Sequence, residues 1–348
     1  MVVSTKDSDV FEQVVCPRQE GNPRNSEADV AVLNDGRLLL AWTEFYGGRE
    51  DDDAAVISAM TSNDRGRTWS EKYILQENTG QKNVMSPAFL RLASGELAFF
   101  YLQIETTQAN VYIRRSHDEG ESWSEAVRIT PDQRAFQNLC NARAMKARTG
   151  SIHIPIYSDY EQDHSGPYYA ASVNSYDNGH TWERSENQIT VAKRGAMEPC
   201  IVDLNDGTLL MIMRTQLGRI YKSLSHDSGR TWSEAVPMSI VAPESTSAIT
   251  RVPSTGDLLL VWNNTTYDTK HDHFGVRCPL TAAISHDEGQ TFRKHRDLES
   301  DTTHTYAMPS ITFCDDEIIF TYYIAYGNDI EGHWELKLKI VPVDWLYQ

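Results

Sequence analysis

Apolar residues in this chain fall into short runs joined by tight turns, and one arrangement recurs along its length. An apolar strand, a turn that usually holds glycine, and a second apolar strand appear in SEADVAVLNDGRLLLAW, MSPAFLRLASGELAFFY, ARAMKARTGSIHIPI, EPCIVDLNDGTLLMIM, SAITRVPSTGDLLLVW and MPSITFCDDEIIFTYY. Alternating and continuous apolar stretches dominate, and no segment carries a convincing helical stripe. Short, evenly spaced strands with turns between them predict an all-β protein.

A second repeat runs out of phase with the first. It comprises SNDRGRTW (62–69), SHDEGESW (116–123), SYDNGHTW (175–182), SHDSGRTW (225–232) and SHDEGQTF (285–292), at intervals of 54, 59, 50 and 60 residues. Each Asp can accept hydrogen bonds from the backbone of its own turn, and each Gly allows a positive φ. The closing Trp or Phe then packs beneath, so each copy is a self-contained hairpin corner. Sheet units of about 50 residues with one such turn each predict a six-bladed β-propeller with five of these turns. The blades are expected over 20–75, 76–130, 131–190, 191–240, 241–295 and 296–348. VFEQVVC (10–16) is expected to close the ring against the last blade, which explains five turns for six blades. No linker divides the sequence, so one domain is expected over 1–348.

Composition narrows the chemistry. At 40% hydrophobic and 10% aromatic, the 348 residues can bury a large core. A formal charge of −17 argues against a nucleic-acid or anionic-membrane partner, so an acidic ligand would need local positive charge. Five scattered cysteines, Cys16, Cys140, Cys200, Cys278 and Cys314, show no CxxC spacing and read as buried free thiols in a reducing compartment. His271-Asp272-His273 lacks further spaced ligands, so neither metal nor cofactor is expected. The start, MVVSTKDSDVFEQ, has no basic and apolar leader, and no apolar run has the length of a membrane span. A cytoplasmic protein is the expectation.

The residues just before each inner strand of a propeller meet at one mouth of its channel. Here they are NPRNSEAD (22–29), QKNVMSP (81–87), FQNLCNAR (136–143), RGAMEP (194–199), APESTS (242–247) and HTYAMP (304–309), far more polar than the strands they feed. Convergent polar groups on a rigid ring are what a ligand site requires. Glu198 and Arg214 bracket one hairpin, so antiparallel pairing returns both to that mouth.

The S-x-D-x-G-x-T-W turns are Asp-boxes, and in box number and blade order the whole chain resembles the sialidase (neuraminidase) superfamily of BNR-repeat propellers. The resemblance implies an exo-glycosidase acting on a terminal acidic sugar, most simply sialic acid, in a glycan or glycoconjugate. Sialidases hold the sugar carboxylate with three arginines, and guanidinium forks suit that task. By position these match Arg24, Arg214 and Arg277; Arg143 also lies at the mouth and is equally readable as structural. The family acid/base is an Asp on the loop after the first hairpin. That loop is GGREDDDAAVIS (47–58), where Asp51 or Asp52 is favoured, Asp53 adjoins the strand, and crowding of like charge is expected to raise one pKa. Glu198 matches the residue that activates the tyrosine nucleophile.

The nucleophile departs from the pattern. Met308 occupies the family's tyrosine position, with Tyr306 two residues earlier. Three readings stay open: Tyr306 substitutes, the register shifts by two, or Glu198 or an Asp activates water directly as in inverting glycosidases. Alternatives of other classes are a propeller hydrolase or lyase for another uronic or neutral sugar, and a non-catalytic glycan-binding propeller. Each site residue also has a bland reading: a structural ion pair for Glu198–Arg214, solvated loop arginines for Arg24 and Arg277, and a solvated acidic loop for 51–53.

Overall fold

Each apolar–turn–apolar segment becomes an antiparallel hairpin, and two further strands extend it. The computed structural model describes residues 10–131, 136–159, 167–270, 276–326 and 334–348. The first unit pairs Arg24–Val32, Leu38–Phe45, Ala55–Ser62 and Tyr73–Gln76 in sequence order. The next runs Asn83–Arg91, Leu97–Ile104, Ala109–Ser116 and Val127–Arg128. In the third, the inner edge is split between Phe136–Asn138 and Met145–Lys146, both on Ile152–Asp159, followed by Tyr168–Ser175 and Glu183–Arg184. Two regular meanders follow, Met197–Asp203 to Val236–Val241 and Ala248–Arg251 to Arg293–Glu299. The last unit takes His304–Cys314, Glu317–Tyr326 and Trp334–Pro342, and its outer strand is Phe11–Cys16 from the other end of the chain, as the sequence predicts. The first and last units also meet at Arg24 and Trp334, a single parallel pair.

The second strands are almost continuously apolar because both of their faces are covered. All eight residues of Leu38–Phe45 are buried. Apolar clusters fill the seam between each unit and the next, and one such cluster, with Leu38, Leu40 and Trp42 against Ile319, Leu336 and Leu338, joins the first unit to the last. Among the described residues no helix is long and apolar enough to cross a membrane. All five cysteines are free and buried.

The Asp-containing turns share one set of bonds. In the first, the Ser62 hydroxyl donates to Asp64 and accepts the Gly66 amide, both at 2.8 Å, while Asp64 accepts the amide and hydroxyl of Thr68 at 2.8 and 2.6 Å. Gly66 needs its φ of 87°, where a Cβ is unfavourable. The same bonds recur around Asp118, Asp177, Asp227 and Asp287. The hydroxyl bonds, foremost, hold Asp64, Asp118 and Asp287 down at about 2.

In four of these turns the residue after the Asp then clasps the neighbouring unit's first-hairpin turn. Glu119 accepts the amide and side chain of Asn34 at 2.8 Å each, and Glu288 accepts those of Asn205 at 2.8 and 2.5 Å. Asn178 takes the Ala93 amide at 2.9 Å, and Arg65 reaches Asp315 at 2.8 Å. Among the described residues the last unit has no such turn. In its place Tyr347, ending the short turn Val343–Tyr347, bonds Thr255 at 2.6 Å and Asp257 at 2.8 Å on the fifth unit's hairpin.

Candidate functional site

The site begins with a backbone irregularity repeated in four inner strands. The register shifts between Ser26 and Ala28, Met85 and Ala88, Met197 and Cys200, and Ala307 and Ser310. Within these bulges Glu27, Ser86, Glu198 and Met308 have φ values of 44°, 58°, 43° and 55°. A left-handed conformation costs a non-glycine residue about 1–2 kcal/mol and collects at functional sites, where a bulge re-aims a side chain. All four side chains line one cavity of about 190 Å³ at the mouth of the inner strands.

Arg24, 2% exposed, starts the first inner strand, and the rings of Phe45 and Trp334 each lie 4.2 Å from its guanidinium carbon. Its Nε donates to Ser26 Oγ (2.8 Å), Nη1 to the Arg49 carbonyl (2.8 Å) and Asp51 (2.7 Å), and Nη2 to Glu27 (2.6 Å). Burial works against this charge, yet Glu27 and Asp51 push its pKa further up. Glu27, 1% exposed, also accepts the Ser26 hydroxyl at 2.6 Å, and its pKa is raised, chiefly by burial.

The acidic loop is fixed from beneath. Asn83 donates to the carbonyls of Asp51 and Asp53 at 2.7 and 2.8 Å, and the Asp53 carboxylate caps the Glu50 amide at 2.8 Å. Asp51 and Asp52 both reach the cavity, and each is held on a cation, Asp51 on Arg24 and Asp52 on Lys82 at 2.5 Å. Each is thus paired with positive charge, and Asp51 remains 74% exposed.

On the opposite wall Glu198 accepts Arg214 Nη1 at 2.8 Å and the Thr246 hydroxyl. Burial alone would raise its pKa; Arg214 and Thr246 outweigh that and lower it, so the carboxylate stays ionised. Behind it Glu244, 0% exposed, takes Arg194 and Gln216 at 2.8 Å each, with Arg214 at 3.7 Å. Arg277 donates to the Tyr323 hydroxyl at 2.7 Å and the Glu244 carbonyl at 3.3 Å.

The structure thus brings Arg24, Asp51, Asp52, Glu198, Arg214 and Arg277 to one cavity. It does not bring Tyr306. The bulge at Met308 turns that side chain inward, its sulfur 3.4 Å from the Thr246 hydroxyl. Tyr306, 3% exposed, instead joins the apolar seam with the fifth unit and donates to the Asp301 carbonyl at 3.3 Å. Arg143 also lies away from the mouth. It donates to the carbonyls of Pro309 and Ser247 at 3.1 Å each and borders a larger, mostly apolar cavity of about 600 Å³ at the other end of the inner strands. His271 and His273 fall outside the described residues.

Sequence reasoning passed over Glu27, Arg194, Glu244 and Thr246, although the quoted mouth segments contain all four. It also missed Tyr157, which lines the cavity from the third unit and whose phenol pKa is raised well above normal by burial and then by Glu198. Tyr323 carried no local signal, because it reaches Arg277 across 46 residues.

A family profile described as BNR repeat-like domain matches residues 36–321. A sialidase of Paraclostridium sordellii is 26% identical over 236 residues, which span 60% of this chain and 56% of that protein. In structure, the NanB sialidase of Streptococcus pneumoniae superposes with a TM-score of 0.76 at 15% identity, covering 97% of this chain and 71% of that one. The intramolecular trans-sialidase of Ruminococcus gnavus gives 0.76 at 15% identity, covering 96% of this chain and 98% of that one.

Proposed function

We propose that this chain, which belongs to the BNR repeat-like domain family, is a sialidase-like exo-glycosidase that hydrolyses a terminal acidic sugar, sialic acid foremost, from a glycan. Its architecture is read as a single six-bladed β-propeller with five Asp-box turns, on the spacing of the repeats and the pairing of the strands. One observation carries the reading: carboxylates and guanidiniums from the first and fourth inner-strand starts, the 47–54 loop, Arg214 and Arg277 converge on a cavity suited to one sugar residue. Sialidases and a trans-sialidase among the similar proteins support it.

In this proposal the sugar carboxylate sits against Arg214 and Arg277, with Arg194 beside them, where planar forks pair with planar anions. Asp51 or Asp52, on the exposed rim, protonates the leaving oxygen. Glu198 stays ionised beneath the ring and is the base for the attacking water, because Met308 stands where a phenol would be and Tyr306 is turned away. That assignment makes the reaction a two-carboxylate displacement with inversion.

The test is release of the aryl group from an aryl sialoside by pure protein, with Glu198→Gln as comparison. A loss of at least about a thousandfold in kcat/KM is expected for the variant, and proton NMR of the first sugar released should show the inverted anomer. No release above background by the wild type removes the sialic-acid assignment. Met308 favours one second reading, a propeller that binds such a sugar without turning it over; calorimetric binding with no hydrolysis over days would establish it.

A further inference from the structure

Three arginines are expected to face the sugar carboxylate, but Arg24 is already occupied. A guanidinium has five N–H groups. Ser26 takes the one on Nε, the Arg49 carbonyl and Asp51 take those on Nη1, and Glu27 takes one on Nη2. Phe45 and Trp334 crowd its carbon at 4.2 Å. No bidentate face is left for an incoming anion. Two carboxylates on one guanidinium also leave this wall with net negative charge, whereas Arg194, Arg214 and Arg277 lie across the cavity with Glu198 and Glu244.

Glu27 is placed to do this, not merely tolerated. It holds the bulged, positive-φ position that Glu198 holds in its own strand, at 44° against 43°, so its backbone is strained to aim the carboxylate at the cavity. A buried carboxylate that, among the described residues, accepts from Arg24 and Ser26 retains lone pairs for a further donor.

We propose that Glu27 is a specificity-determining residue: it closes Arg24 to anionic substituents and makes this wall an acceptor for sugar hydroxyls. An acidic substrate then anchors its carboxylate at a single point, the Arg214–Arg277 wall, and presents its polyhydroxyl side to Glu27. The inference rests on the sugar-binding reading of this cavity but not on turnover.

The experiment is calorimetric binding of sialic acid and of its methyl ester, which keeps every hydroxyl and removes the negative charge. The wild type should favour the acid by less than about tenfold. Glu27→Gln, which keeps the shape and drops the charge, should raise that acid-to-ester ratio at least tenfold while ester affinity falls. A wild-type ratio in the hundreds overturns the inference without any variant, as does a folded Glu27→Gln protein with an unchanged ratio or with no binding of either sugar. Hydrolysis of the aryl sialoside is read separately, so an inactive protein that shows the ratio shift fails the glycosidase reading and keeps this one.

Discussion

Replacing Arg24 by methionine should destabilise the protein in a way that depends on pH. Methionine retains the contacts with Phe45 and Trp334 but strands Glu27, 1% exposed, with Asp51 nearby and no cation. Breaking one partner out of a buried ion pair costs about 3–5 kcal/mol, with protonation of the survivor as the escape. Protonating a carboxyl whose ordinary pKa is 4.5 costs about 1.36 kcal/mol per pH unit above that value, hence roughly 5 kcal/mol at pH 8 and about 0.7 at pH 5. In the wild type Arg24 offsets the burial that raises the Glu27 pKa; in the variant burial and Asp51 act alone, and the pKa climbs further. A carboxyl with a raised folded pKa binds its proton more tightly in the folded state, so stability falls as pH rises from 4.5. Urea unfolding should therefore show a loss of about 3–4 kcal/mol at pH 8 and only about 1–2 at pH 5. Adding Glu27→Gln should recover about half of the pH 8 loss and flatten the difference. Equal losses at both pH values, with no recovery in the double variant, would refute the argument.

Three further outcomes follow. Tyr306→Phe should leave kcat/KM of the aryl sialoside within about twofold, because its hydroxyl donates to the Asp301 carbonyl away from the cavity, whereas Tyr323→Phe, loosening Arg277, should raise KM about tenfold with a smaller change in kcat. The turn carboxylates Asp64, Asp118 and Asp287, held at about 2, contribute stability above their ordinary values near 3.8 and lose it as pH falls towards 2; acid unfolding followed by circular dichroism should stay flat above pH 5 and steepen between about pH 4 and 2. Ellman's reagent should count five thiols in denaturant and almost none in the folded protein, since all five cysteines are buried and burial lifts the Cys140 thiol to about 12.

The hairpins and their turns were readable because their determinants are local. Leu39–Trp42 alternates nothing and is buried on both faces, and Ser62, Asp64, Gly66 and Thr68 complete their bond set within seven residues. Glu198 and Arg214 were readable for the same reason, being joined by one hairpin. The acids that neutralise the site were not. Glu244 meets Arg194 across 50 residues, and Glu27 faces the cavity only because a bulge breaks strand alternation at that position. A period-2 pattern cannot show a residue that departs from it. Tyr306 was misaimed for the reverse reason: without the bulge at Met308, two residues of offset would have kept it on the cavity side.

The swapped edge has a consequence in time. Cys16 pairs with Leu336, a separation of 320 residues (336 − 16), which at about 5–20 residues per second takes a ribosome roughly 16–64 s to bridge. Through that interval the nascent first unit keeps Leu38, Leu40 and Trp42 without the partners that later cover them. Met308 and Trp334, which wall the cavity, are made just before the clasp at Tyr347. The cavity is therefore incomplete until Trp334 is made, and a chain stalled before that codon leaves the apolar face of the first unit uncovered.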